Sequence, residues 1–491
     1  MTTIKLDPGA ALLLDALHGA GHAAYAVGGC VRDSLLGLDP HDWDLCTSAR
    51  PEQVMALFGE EKCIPTGLQH GTVTVKQGGR LYETTTFRTE GAYSDGRHPD
   101  AVCFVPDVQE DLARRDFTIN AMAYSAEEGL IDPFGGRDDL AAHLVRAVGE
   151  PERRFEEDAL RILRLYRFAA RFGFAIDPAT GAAARALGPH LDCVSAERIQ
   201  EELLKLLAAP RPGSYLEPAV LAVILPELEP EKQPEQFAEL CRTIDRIEPT
   251  AENVPARLAA LLCPLGEAGA RKALRKLKCS NALTDEVTAL EREAGGGAGS
   301  FLLGHEFELR HPADALCLER HSHPAGRCPN SNSLFPPQAA VVAVAGHSIA
   351  RPIACGNRVP PQRTVLGETP GTPNTTLTVQ AKRLLGRYEL PTIQRLTALC
   401  SARHPEQAVA FAALRAEAER LTAENACCRV SQLAVNGRDL MAAGVRPGPG
   451  LRQVLNALLE AVITGQTPNE KDALLAAAAH FLRLDKRKKL R

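Results

Sequence analysis

The sequence predicts an α+β multidomain protein, with an α/β head followed by an all-helical remainder. Three observations carry that prediction. Short Val- and Thr-rich runs with turn residues between them are confined to the first ~140 residues. From about Leu140 onward, apolar residues recur at helical spacing. A double glycine and an acid-x-acid pair lie close together in the head, at Gly28-Gly29 and Asp42-Trp43-Asp44. At 491 residues the chain has room for several domains. Hydrophobic residues make up 45% and charged residues 24%, the balance of a globular protein. A formal net charge of −5 means that any nucleic-acid surface must be a local patch. Asp7, Pro8 and Asp15 among the first leucines and alanines do not fit a signal peptide. No apolar run approaches the roughly 18–20 residues that span a bilayer. The 14 cysteines form no CxxC pair and read as reduced thiols in the cytoplasm.

In the head, an amphipathic helix is expected from Pro8 to His18, stopped by Gly19, and a strand from Ala23 to Val27 leads into the double glycine. A second strand is expected to carry Asp42 and Asp44. Thr72–Lys76 and Leu81–Phe87, separated by Gln77-Gly78-Gly79, read as a hairpin. The polar stretch Tyr93–Pro99 reads as a mobile loop. Beyond the head, Arg153–Phe172 reads as one long helix and Ala196–Leu207 as another, capped by Ser195. Helical patterning continues from Leu221 to Glu293. Residues 308–378 break the pattern. They are dense in Pro and Gly, and the stretch from His321 to Gln380 holds a single acid, Glu368. This stretch reads as a disordered insertion, or as sequence foreign to the mature protein. Its Cys317, His321, His323, Cys328, His347 and Cys355 match no zinc spacing. Helices resume at Ala381. The basic end, Asp485 to Arg491, suits either a solvated helix terminus or contact with a phosphate backbone.

The head carries the chemistry. Residues i and i+2 of a strand share a face, so Asp42 and Asp44 point together while Trp43 enters the opposite layer. Two adjacent carboxylates repel unless a cation joins them, and magnesium is a hard ion that takes oxygen ligands. Gly29 lets backbone N–H groups approach a triphosphate, and Arg32 adds a forked cation. Arg114 and Arg115 stand before an apolar, helix-like run and would project from its start towards an anion. Asp132-Pro133-Phe134-Gly135-Gly136 reads as a turn at a domain junction.

With these pieces in order, the head resembles the nucleotidyltransferase superfamily of DNA polymerase beta. In particular it is similar to the class II tRNA CCA-adding enzymes and bacterial poly(A) polymerases. The matching segments are Gly28-Gly29-Cys30-Val31-Arg32-Asp33, Asp42-Trp43-Asp44, Tyr82 to Arg88, Arg114-Arg115-Asp116-Phe117-Thr118, Asp132 to Gly136, Arg154 to Arg164, and Ser195-Ala196-Glu197-Arg198-Ile199. They cover about residues 20 to 210. Gly437-Arg438-Asp439-Leu440 and Pro447-Gly448-Pro449 resemble the C-terminal region of these enzymes.

The resemblance implies a catalytic head at 1–141, a base-recognising neck at 142–207 and a helical body at 208–307. It further implies a tRNA-binding body and tail at 379–491. Asp42 and Asp44 would be catalytic and would bind Mg2+. Gly29, Arg32, Arg115, Asp158, Arg161, Arg164 and Arg167 would contact the incoming nucleotide. The implied activity is template-independent addition of C, C and A to the 3′ end of tRNA from CTP and ATP, with release of pyrophosphate. Alternatives are a CC-adding, A-adding or poly(A) polymerase relative, or a non-catalytic RNA-binding protein on the same fold. The body from Pro255 to Ser280 looks like a degenerate HD-type domain. Leu261 to Gly266 stand where the His-Asp metal pair would be, which argues against a phosphohydrolase activity. On a continuous helix, Asp158 and Arg161 would lie three residues apart on one face. Together they would offer an acceptor and a donor to the amino group and ring nitrogen that C and A share, and refuse U and G. Arg164 and Arg167 follow at further three-residue steps. Glu83 is a candidate third carboxylate.

Overall fold

The structure is a computed structural model that describes residues 3–90, 102–295 and 375–488. The expected loop at Tyr93–Pro99 lies outside the described residues. So do Lys489 to Arg491 and nearly all of the expected insertion, including its cysteines and histidines. At the far edge of that stretch, Thr375 already opens a helix.

The head is built on a mixed sheet. Its strands are β1 (Ala24–Val27), β2 (Leu45–Thr47), β3 (Cys63–Gly67), β4 (Thr72–Gln77), β5 (Arg80–Thr86), β8 (Ala123–Ser125) and β9 (Gly129–Ile131), in the order β3-β4-β5-β2-β1-β8-β9. Between β5 and β8 a separate pair forms, β6 (Arg88–Glu90) with β7 (Val102–Phe104). The β2–β5 pair is parallel, whereas β1 runs antiparallel to both β2 and β8. The expected hairpin is β4–β5. Gly78 (φ 58°) and Gly79 (φ 80°) supply the two positive-φ positions that a tight hairpin turn needs. One face of the sheet, with Ala24, Ala26, Leu45, Val73 and Val75, joins the main core. The other face, with Tyr25, Val27, Cys46 and Phe87, packs under Val108 and Leu112. Helix α1 (Pro8–Gly19) begins at Asp7, whose carboxylate accepts from Gly9 and Ala10 N–H at 2.9 and 3.3 Å. Helices α2 (Gly29–Leu35), α3 (Pro51–Phe58), α4 (Val108–Ala113) and α5 (Gly136–Ala141) complete the head.

The neck departs from expectation. Arg153–Phe172 is not one helix: α6 (Pro151–Glu157) stops, Asp158 is extended (φ −148°, ψ 102°), and α7 (Leu160–Phe172) starts afresh. Helices α8 (Pro178–Ala186) and α9 (Ala196–Leu207) follow, the latter with Ser195 at its N-cap. The body comprises α10 (Pro218–Ile224), α11 (Pro234–Arg246), α12 (Val254–Leu262), α13 (Gly266–Lys276) and α14 (Asn281–Ala294). It continues through α15 (Thr375–Arg387), α16 (Leu390–Arg403) and α17 (Ala408–Ala423). Arg257 on α12 is fully buried and donates to the carbonyls of Leu207, Ala209 and Ile247. It thereby ties the C-terminal ends of α9 and α11 to the body. The tail, α18 (Gly437–Ala442), α19 (Pro449–Ile463) and α20 (Lys471–Lys488), has its own small core around Leu440, Leu458 and Leu474. Each described cysteine is a free thiol. Among the described residues, no helix is long and apolar enough to cross a membrane.

Candidate active site

The site begins where β1 ends. Gly28 takes φ 77° and ψ −122°, a backbone that L side chains avoid, and its N–H donates to the Met122 carbonyl at 3.1 Å. A Cβ at Gly28 would lie 2.8 Å from Arg115 Nη1. Gly29 opens α2, and a Cβ there would meet only Arg32 Nη2, at 3.6 Å. The conformational demand therefore falls on Gly28, whereas the sequence pattern points to Gly29.

Asp42 and Asp44 do not sit on a strand as expected; they precede β2, which starts at Leu45. The alternation still holds. Both carboxylates are exposed, and Trp43 between them is buried in the main core. The Val27 N–H donates to the Asp44 carbonyl at 3.0 Å and pins this segment beside the glycine turn. The parallel register that pairs Leu45 with Thr84 sets Glu83 next to Asp44. Although part of the Asp44 side chain meets solvent, crowding by protein atoms pushes its carboxyl up to about 6. The charges of Glu83 and Asp42 add to that rise, and Arg115 opposes it. Among the described residues, no three His, Cys, Asp or Glu side chains form a ready-made metal cage. The donor chemistry of Asp42 and Asp44 nonetheless fits a divalent ion: hard oxygens whose mutual repulsion a cation would relieve.

Arg114 and Arg115 were expected at the start of a helix. They instead follow the C-terminal end of α4, and the apolar run after them is a short 3-10 turn, Thr118–Asn120, leading into β8. Arg114 holds Asp111 at 2.7 Å. Arg115 reaches Asp111 only at 3.4 Å, and its Nε is buried with no acceptor. It is thus a cation with unused donors, set against Gly28 and acting on Asp44.

Arg32 lies behind the turn. It is 4% exposed, donates to Asp33 at 2.8 Å and to Asn120 Oδ1, and is faced by the rings of Phe168 and Phe172. Asn120 in turn donates to Asp116 at 3.1 Å, and Asp116 accepts from Arg164 Nε at 2.9 Å. These hydrogen bonds and the Arg164 charge hold the buried Asp116 carboxyl down at about 2, against its desolvation. Arg164 lies 3.8 Å from Glu202, which also takes Arg167 at 2.5 Å. One polar chain therefore runs from the glycine turn through Asn120, Asp116 and Arg164 to Glu202 and Arg167 on the neck.

Asp158 and Arg161 do not share one continuous helix as expected: the helix breaks at Asp158, although the Arg161 N–H still donates to the Asp158 carbonyl at 3.0 Å. The Asp158 carboxylate accepts from Leu160 N–H at 3.1 Å and from Arg198 at 2.8 and 3.2 Å. Arg161 donates to Glu157 at 2.7 Å and to the carbonyls of Arg154 and Arg114 at 3.2 and 3.1 Å. Sequence reasoning missed Glu157, Arg198, Glu202 and Asn120 as partners. Only the four-residue step from Arg198 to Glu202 on α9 hinted that these two neck residues face α7 together.

The profile of the "Poly A polymerase head domain" family matches residues 24–146. That of "Probable RNA and SrmB- binding site of polymerase A" matches 173–232, and that of "tRNA nucleotidyltransferase domain 2 putative" matches 385–478. The chain is 34% identical to the CCA-adding enzyme of Limosilactobacillus fermentum over 480 residues, 96% of each chain. It is 45% identical to that of Leuconostoc citreum over 257 residues, 52% of this chain and 63% of that relative. Among solved structures, the Bacillus stearothermophilus CCA-adding enzyme in complex with CTP superimposes with a TM-score of 0.69 at 29% identity. That match covers 98% of this chain and 100% of the other.

Proposed function

The chain belongs to the family of CCA-adding enzymes, and from that membership we propose that it extends the 3′ end of tRNA with C, C and A, using CTP and ATP. The observation that carries this reading is the convergence of three groups: the Gly28-Gly29 turn, the Asp42/Asp44 pair, and Arg115 with its unused donors. The turn and Arg115 receive the triphosphate, with backbone N–H groups and a guanidinium as donors. Arg32 braces the turn from behind through Asp33 and Asn120, so its part in nucleotide binding is to fix the donors' positions. Asp42 and Asp44, with Glu83 alongside, would hold the divalent ion, which we take to be magnesium. Such an ion supplies Lewis acidity to phosphate oxygens and acidifies a nearby hydroxyl. The tRNA 3′-hydroxyl attacks the α-phosphate of the nucleotide, and pyrophosphate leaves. The chain's contribution is positioning and electrostatics.

Base choice falls to the neck. Asp158 and Arg161 are held by different partners, yet neither is saturated. A carboxylate offers about four lone-pair sites, and Leu160 N–H and Arg198 use three. A guanidinium offers five N–H donors, and Arg161 spends three. One acceptor and two donors remain, matching the amino group and ring nitrogen shared by cytosine and adenine. Arg164 and Arg167, held by Asp116 and Glu202, line the same helix as further nucleotide contacts. The cytoplasm, where tRNA is matured, is the proposed location.

The test is extension of tRNA lacking its 3′ end, with magnesium and each NTP in turn, counting the residues added. Three added residues from CTP and ATP are expected, with UTP and GTP excluded. Incorporation of UTP or GTP at rates like CTP would remove the base-selection argument. Full activity in Asp42→Ala would remove the metal assignment.

A further inference from the structure

Several exposed cations on the described helices are paired with acids on the same helix. Lys205 holds Glu201 at 2.6 Å, Arg242 holds Glu239 at 2.8 Å, Arg415 holds Glu419 at 3.0 Å, and Arg420 holds Glu417 and Glu424 at 2.7 and 2.6 Å. Helix α13 carries a cluster of cations without such partners. Lys272, Arg275 and Lys276 stand at i, i+3 and i+4, all exposed, with exposed Lys278 just beyond the helix end. No acid occurs in sequence between Glu267 and Asp285. Both of those acids are committed elsewhere, Glu267 to Arg292 and Asp285 to Arg271 at 2.9 Å. Among the described residues, none of the four cations has an ion-pair partner.

The helix dipole favours cations in the last turn, which accounts for Arg275 and Lys276 singly. It does not account for Lys272 a turn earlier, or for the absence of any acid across the face. Like charges at i and i+4 cost a few tenths of a kcal/mol, so on folding grounds alone this face is mildly unfavourable. In a chain of net charge −5 it is a local concentration of positive charge. Its position is also informative. Cys279, one residue past Lys278, lies beside the Gln200 side chain of α9, the neck helix that carries Arg198 and Glu202. The cationic face therefore borders the neck element that holds Asp158 and Arg167.

We propose that the Lys272, Arg275, Lys276 and Lys278 face is a docking surface for the phosphate backbone of the tRNA. The proposal rests on tRNA being the substrate, and it adds the surface that seats the RNA beside the neck. Point charges on flexible stems suit phosphates met along a helix without reading sequence. None of the four cations pairs with Asp42, Asp44, Arg115, Asp158 or Arg161, so the face is assigned to RNA affinity and not to nucleotide binding.

The test uses the full-length K272Q/R275Q/K276Q variant, with K272R/K276R as the charge-preserving control. Equilibrium binding of tRNA lacking its 3′ end is measured across a salt series, alongside KM for CTP and the melting temperature. The triple variant is expected to bind roughly tenfold more weakly near physiological salt. The slope of log affinity against log salt should fall by about one for each phosphate no longer neutralised, up to about three. KM for CTP, kcat at saturating tRNA and melting temperature should stay unchanged, and the arginine control should bind like the parent. Unchanged tRNA affinity and slope in the triple variant would overturn the proposal, and would leave the face to an acidic protein partner. A change in KM for CTP to match would also overturn it, since the face would then act through the nucleotide site. Because binding is read separately from extension, failure of the proposed activity itself would show as tRNA bound normally but not extended.

Discussion

At the scale of single residues, the site depends on where a side chain is forbidden as much as on where one is present. Gly28 and Gly29 are neighbours in sequence but not equivalent: Gly28 has φ 77° and Arg115 Nη1 within 2.8 Å of its would-be Cβ. Gly28→Ala should cost about 1–2 kcal/mol of backbone strain and displace Arg115. We expect it to lower kcat/KM for CTP by about 100-fold, the scale of an ångström's misplacement at a reacting centre. Gly29→Ala, in a helical position with space around it, should keep activity within a few-fold. Steady-state kinetics on the two variants checks this, and equal losses would put the constraint on both glycines. The glycine pair was legible in the sequence; which member bears the strain was not, because φ follows from how β1 enters α2. The acids were legible for a similar reason. Alternation across Trp43 survives even though the segment is not a strand, since a buried indole forces its neighbours outward.

At the scale of elements, local pattern succeeded where an element's own periodicity decides its form. Helix α1, the β4–β5 hairpin and α9 lie within a residue or so of their expected bounds. It failed at Asp158, where a residue with good helical neighbours on both sides is extended. Its carboxylate is drawn to Arg198, forty residues on, and to the first free N–H of α7. Intrinsic helix preference, worth tenths of a kcal/mol per residue, yields to such a bidentate charge-assisted pair. Helix α14 carries another feature that pattern does not show. Glu291 is 4% exposed, its Oε1 lacks a partner, and burial pushes its carboxyl up to about 7, with Arg403 opposing. A folded-state value above the unfolded one means that stability is greatest at low pH. It declines as pH rises from the unfolded range near 4.5 through about 7. Glu291→Gln should therefore raise stability by about 1–3 kcal/mol at pH 8 and have little effect at pH 5. Thermal unfolding at both values checks this; the same shift at each would show that burial does not raise the Glu291 carboxyl above its unfolded value.

At the scale of the whole molecule, one apolar core runs from the head sheet through the neck into the body, while the tail closes around its own cluster. Arg257 shows how the junction is held: a buried cation satisfied by the carbonyls that end α9 and α11. Those carbonyls carry the negative end of each helix dipole. Arg257→Leu would leave three buried acceptors unpaired and should cost roughly 3 kcal/mol or more. A melting temperature within a degree or two of the parent would show that water takes over those acceptors. The class of chemistry is written locally. Phosphate-approaching glycines, paired acids and period-2 runs giving way to period-3.6 runs are set by backbone sterics and side-chain charge, so they can be read along the chain. The partners that the charged residues keep are a product of packing. Folding placed Arg32 behind the turn, left Arg115 facing it, and gave Asp158 and Arg161 different partners. Charges choose partners by distance in space, and residues such as Asp158 and Arg198 become neighbours only once the neck has packed.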